Sequence, residues 1–103
     1  MGKKTNKKVK SFAKIIRNKF DIDKIIFFGS RAQGIQKKYS DYDFILVSND
    51  FKNIKFTDRI SRIYPYWKYN DSIDPLCYTP KEFNKLKKQI TIVSEAVKTG
   101  IEI

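Results

Sequence analysis

Asp41 and Asp43 stand two apart in the apolar run "DYDFILV" (41–47). If that run is a strand, positions i and i+2 point to the same face. Two carboxylates on one apolar face repel each other and are costly to desolvate. A divalent cation between them would relieve both problems. Hard carboxylate oxygens favour Mg²⁺, with Mn²⁺ as a substitute. A lone D-x-D also serves as a pair of strand-end aspartates facing water. Upstream, Gly29 and Ser30 follow the apolar run "KIIFF", where a helical turn could start. Backbone N–H groups at such a turn form an anion cradle, and glycine lets a phosphate approach closely. Arg31 would add charge and Gly34 a tight exit. The stretch lacks the G-K-[ST] of a P-loop and is not GxGxxG, and an ordinary strand-to-helix turn would use the same residues. Asp74, in "SIDPLCYT" (72–79), could complete a metal site or take a proton from a hydroxyl; it could also be a turn residue before Pro75.

These residues need elements to hold them. Val9, Phe12, Ala13, Ile16 and Phe20 follow one helical stripe. Residues 24–29 and 41–50 read as strands, with "SRAQG" as one helical turn between them and "IQKKYS" as loop. Ile60, Ile63, Tyr64 and Trp67 keep helical spacing over 57–69, disturbed by Pro65. Residues 72–79 read as a third strand, which Pro75 makes irregular or an edge. Thr79, Pro80 and Glu82 supply an N-cap, a first-turn proline and a capping-box acid. Phe83, Leu86, Ile90, Val93, Ala96 and Val97 carry helical spacing on to a glycine cap at Gly100, with a break near Gln89. The expectation is an α+β (α/β-type) domain: a small mixed β-sheet of three or four strands with helices packed on it. Trp67 and Tyr64 are expected in the core. Not all of Tyr64, Tyr66, Trp67 and Tyr69 can point inward from one helix, so some are expected at the surface.

The 103 residues suit a single domain, 1–103, with 1–8 expected as a flexible basic arm. There is no histidine, which excludes histidine triads, histidine acid–base catalysis and His-ligated zinc. The single cysteine, Cys77, excludes internal disulfides and Cys-cluster metal sites, and it lacks a base partner for thiol chemistry. No apolar run approaches a membrane span, and no signal-peptide core is present, so a cytoplasmic protein away from the membrane is expected. The net charge is +11, and eight cations with no acid fall in the first twenty positions. Nucleic acid is a conceivable partner for that stretch, but phosphate and base readers usually employ arginine, and only four are present. A solvated basic surface is the plainer reading.

Gly29-Ser30, ten intervening residues and then Asp41-x-Asp43 resembles the G-S-x10-D-x-D signature of the DNA polymerase β-like nucleotidyltransferase superfamily. "GSRAQG…SDYDFILV" is particularly similar to the minimal nucleotidyltransferases, the MNT group. Asp74, before "TPKEF", falls where that group carries its third carboxylate. The similarity runs from about Ile25 to Phe83 and plausibly on to "EAVKTGIEI". A basic residue common among relatives is Gln33 here.

The resemblance implies a nucleotidyltransferase-like core. Gly29, Ser30, Arg31 and Gly34 would bind the nucleotide. Asp41, Asp43 and Asp74 would be catalytic and would hold Mg²⁺ (or Mn²⁺). The reaction would move AMP from ATP to a hydroxyl. The chain is short for holding a small acceptor itself, so a partner protein is expected to be the acceptor. Such enzymes resemble antitoxins of HEPN–MNT pairs, which add AMP to a tyrosine of a HEPN-domain toxin. The alternative is a binding module that neutralises its partner by contact, without catalysis.

Overall fold

The computed structural model describes residues 5–35 and 37–103. Its elements are α1 (Lys7–Lys19), β1 (Ile22–Phe28), α2 (Gly29–Gln33), β2 (Tyr42–Ser48), α3 (Phe56–Ile63), β3 (Ile73–Tyr78), α4 (Pro80–Leu86), α5 (Ile92–Thr99) and β4 (Ile101–Glu102). Short 3₁₀ turns follow β2 and α3. The sheet order is β3-β2-β1-β4. β1 runs antiparallel to β2 and β4, and β2 runs parallel to β3. The fold is mixed α/β with a four-stranded mixed sheet.

Strand alternation sorts the side chains into two cores. Ile25, Phe27, Tyr42, Phe44, Leu46 and Cys77 face the side covered by α1, where Phe12 and Ile16 are buried. Ile26, Phe28, Ile45 and Val47 face α4 and α5, against Phe83, Val93 and Ala96. β2 is therefore apolar on both faces, as a central strand must be. Phe44 is fully buried between Phe12 and Phe27, with ring centroids 4.9 and 5.4 Å away. β3 lies at the sheet edge, where Pro75 can sit without breaking a central ladder.

α1 starts at Lys7, earlier than the stripe beginning at Val9 suggests. Asn6 caps it, its side-chain oxygen accepting from the Val9 N–H at 3.0 Å. Lys7 and Lys8 of the expected arm are thus helical, and Lys8 pairs with Asp71. Residues 1–4 of that arm lie outside the described residues. α3 stops at Ile63, and Pro65 falls in a 3₁₀ turn. Trp67 packs on Phe12 and Tyr42, as expected, but Tyr64 is half exposed: the helix has ended, so its stripe no longer aims inward.

The C-terminal helix is two helices. Thr91 restarts it, its hydroxyl donating to the Leu86 carbonyl and accepting from the Ser94 N–H. Ile90, placed on the apolar stripe by spacing, therefore sits in the break, fully exposed. Gly100 ends α5 in an extended conformation rather than a left-handed one. Glycine is needed there for room, because a Cβ would lie 2.5 Å from the Ala96 carbonyl oxygen and 2.8 Å from Ile26 Cγ2. The chain then pairs with β1 as β4, a two-residue strand too short for periodicity to reveal.

Candidate active site

β1 delivers Phe28 opposite Asp43 of β2, and β2 sets Asp43 beside Asp74 of β3. Directly paired residues of a parallel ladder share a face, so both carboxylates lie on the α4/α5 side of the sheet. They occupy the end of that face, beyond the Ile45 and Val47 core. Asp41 precedes β2 by one position and is exposed. Asp43 is half-buried, and Asp74 is exposed rather than enclosed by its apolar neighbours, because β3 is the edge strand.

Burial and the neighbouring carboxylates both act on Asp43. Partial burial, then the neighbouring charge of Asp74, then that of Asp41, push the Asp43 carboxyl up to about 6. Partial desolvation and like charges both disfavour its ionised form.

Gly29 closes the site from β1. Its φ is +83°, a conformation that an L side chain rarely adopts. A Cβ at Gly29 would collide with Asp43 Oδ2 and stand 3.1 Å from Asp43 Cγ. The backbone of the turn and the Asp43 carboxylate therefore touch, and only glycine permits it. Ser30 follows in the first turn of α2, whose opening N–H groups have no intrahelical acceptor. Gly34 ends α2 in the left-handed conformation, φ 74°, the tight exit its position suggested.

Arg31 is engaged differently. Its Nε donates to the Ser40 carbonyl at 2.7 Å, and its guanidinium lies over the Tyr42 ring at 4.3 Å. Asp71 Oδ1 stands 4.0 Å from the guanidinium. Arg31 thus braces α2 against the two loops that enter β2 and β3. Asp71, in the loop before β3, is the anchor of that brace. It bonds to Lys8 and accepts no part in the carboxylate group. The paired Lys8 ammonium and, secondarily, Arg31 hold its carboxyl below the usual range. Nothing in linear spacing links Lys8, Arg31 and Asp71, so only the fold reveals them.

Carboxylate oxygens are hard donors, so a divalent ion such as Mg²⁺ is the kind of group these side chains could help to hold. Asp41, Asp43 and Asp74 could offer oxygen donors, and a cation would offset the burial and the like charges that raise Asp43. Among the described residues, no three acidic, cysteine or histidine side chains are gathered tightly enough to cage a metal alone. The protein would supply part of the shell, leaving room for phosphate oxygens and water, as is usual for Mg²⁺.

Among the described residues no helix is long and apolar enough to cross a membrane. None of the curated proteins matches the sequence. A crystal structure from Sulfolobus solfataricus, described as a candidate nucleotidyltransferase, shares the fold at TM-score 0.62 and 23% identity, over 79% of this chain and 72% of that one. Residues 9–99 match the nucleotidyltransferase domain. That span runs from α1 to the end of α5 and takes in Gly29, Asp41, Asp43 and Asp74: the chain belongs to the nucleotidyltransferase domain family, whose members transfer nucleotidyl groups.

Proposed function

We propose that this protein transfers AMP from ATP, with Mg²⁺, to a hydroxyl of a partner protein. The observation that carries the reading is the contact of the Gly29 turn with Asp43, whose carboxyl is raised by burial and then by the charges of Asp74 and Asp41. A phosphate-accepting turn touching a carboxylate cluster is what binding a metal-bound triphosphate requires. Asp41, Asp43 and Asp74 would hold the ion, which when bound neutralises charge developing on the phosphates. Gly29 and Ser30 would cradle the phosphates, with Gly34 shaping the turn's exit. Arg31 would add positive potential from behind the turn while holding the loops in place. Asp74, exposed at the edge, is open to an incoming hydroxyl and would orient it for attack on the α-phosphorus.

The acceptor we favour is a tyrosine of a HEPN-type toxin, which would make the protein an antitoxin acting in the cytoplasm. Similarity to the MNT group supports that choice. The test uses ATP labelled at the α-phosphate, Mg²⁺ and lysate of the source cell, comparing the protein with Asp41→Asn/Asp43→Asn on a denaturing gel. A labelled band of partner size that needs the intact site is expected. Equal silencing of the partner by the double variant, with no label transferred, would overturn the reading in favour of neutralisation by contact.

A further inference from the structure

We propose that Tyr39 is a built-in acceptor: the protein adenylylates its own Tyr39 hydroxyl when no partner occupies the site. The inference rests on the reading above and extends it to the chain's own substrate.

Among the described residues, Tyr39 is the most exposed large apolar or aromatic side chain apart from Ile90, at 85%. Four of the other five tyrosines are engaged. Tyr42 is buried, its hydroxyl accepting from Asn6 Nδ2 at 3.1 Å. Tyr66 packs on Phe20, Tyr69 on Trp67 and Tyr78 on Phe56. Tyr64 is half exposed but belongs to the 3₁₀ turn after α3.

Tyr39 differs from them in position as well. It lies two residues before Asp41, and two residues span at most about 7 Å of chain. That is comparable with the reach of a tyrosine side chain. Its turn is held in place. The Ser40 N–H donates to the Lys37 carbonyl at 3.1 Å, and the Lys37 N–H donates to Ser40 Oγ at 2.9 Å. The Arg31 bond to the Ser40 carbonyl fastens the turn to α2, which begins at Gly29. The presenting loop and the phosphate turn are therefore braced by one side chain.

Tyr39 and Ser40 also line a cavity of about 270 Å³ with Asn70, Asp71 and Ser72, and Arg31 lies between the two loops. These loops run into β2 and β3, the strands of the carboxylates. The cavity lies on the Arg31–Asp71 side of the strand ends, so the Tyr39 side chain would reach the carboxylates around the start of β2, two residues from Asp41. An exposed aromatic ring on a braced turn gives up burial without gaining mobility. Presentation of its hydroxyl accounts for both.

The step balances without a redox partner. The Tyr39 phenol oxygen bonds to the α-phosphorus. The anhydride bond from that phosphorus to the oxygen bridging to the β-phosphorus breaks. Pyrophosphate leaves with the electron pair, and the phenol proton goes to water.

The experiment incubates the purified protein with Mg²⁺ and ATP and reads peptide masses. One adenylyl group on the Tyr39 peptide is expected, absent from Tyr39→Phe and from Asp41→Asn/Asp43→Asn. Tyr39→Phe should fold normally, because the side chain is exposed, and should still label the partner. A second readout needs no turnover: ATP with an uncleavable methylene bridge between α- and β-phosphorus should protect Tyr39 from O-acetylation. At about ten times its Kd, protection is about tenfold. Label on a partner but none on Tyr39 overturns this inference and leaves the proposed function standing. Label on neither overturns both. Label elsewhere on the chain, or Tyr39 unprotected by the analogue, overturns the self-acceptor role.

Discussion

Asp43→Asn should stabilise this protein at neutral pH in the absence of divalent ions while removing the proposed activity. Asp43 is pushed from 3.8 to about 6 in the folded chain. A raised carboxyl pKa means the folded state binds the proton more tightly than the unfolded one. The stability this contributes is full below pH 3.8, and it is lost as pH rises through about 6. Above that, the native chain carries a carboxylate it would rather keep protonated. At about 1.4 kcal/mol per unit the full penalty is ~3 kcal/mol. Asp43 is only half-buried, so solvent screening reduces this to roughly 1–1.5 kcal/mol. For a domain of this size that is a gain of about 5–10 °C in Tm. Thermal unfolding in EDTA at pH 8 and at pH 3.5 checks it. The variant should melt higher at pH 8, and the two proteins should coincide at pH 3.5. Added Mg²⁺ and ATP should then stabilise the native protein by ~2.7 kcal/mol at a hundred times Kd and leave Asp43→Asn unmoved. An equal gain at both pH values, or a loss at pH 8, would refute the electrostatic argument.

Gly29→Ala should lower stability by about 1–3 kcal/mol and abolish nucleotide binding, since its Cβ meets Asp43 and its φ is positive; denaturant melts and nucleotide titration measure the two effects. Glu82→Gln should cost roughly 1–3 kcal/mol at pH 7. It weakens the two bonds that the nine-tenths-buried Arg59 donates to Glu82, at 2.5 and 3.1 Å. Arg59 holds Glu82 below its ordinary 4.5, so that stability is present above 4.5 and lost as pH falls through the lower folded value; urea midpoints for the variant and native protein should converge in acid. Gly100→Ala should cost about 1–3 kcal/mol through overpacking against the Ala96 carbonyl and Ile26, read from the urea midpoint, with nucleotide binding preserved.

Local signals were strong wherever one residue type had one conformational use. Thr79 and Glu82 form the capping box that their spacing suggests, and Pro75 lies on an edge strand. The D-x-D spacing suggested Asp41 and Asp43 on one side of a strand, but β2 begins at Tyr42, so Asp43 is on it and Asp41 stands one position before. Legibility failed where the deciding contact was distant. Tyr64 has the spacing of a core residue, but its helix had already ended. Ile90 has it too, yet Thr91 takes the Leu86 carbonyl and restarts the chain. Gly100 looked like a cap, and only the proximity of Ile26, some seventy positions earlier, explains it. The Arg59–Glu82 pair and the Lys8–Asp71–Arg31 chain join residues with no common period.

The departures from economical folding cluster at the strand ends. β2 could have continued its two-faced apolar pattern back through 43, yet it carries a carboxylate there beside another on β3. β1 could have left the sheet through any residue, yet it does so through a glycine at φ +83° pressed against that carboxylate. Each feature works against stability on its own, by partial desolvation, like-charge repulsion or backbone entropy. A fold that needed only stability would use neither, whereas both would become favourable with the proposed cation and phosphate bound. The brace from Arg31 to Ser40 and Asp71 fits the same logic, because it joins the phosphate turn to the loops feeding both carboxylate strands. The glycine turn and the charge on the strands are thus one device, held in place by side chains that themselves face the opposite side of the sheet.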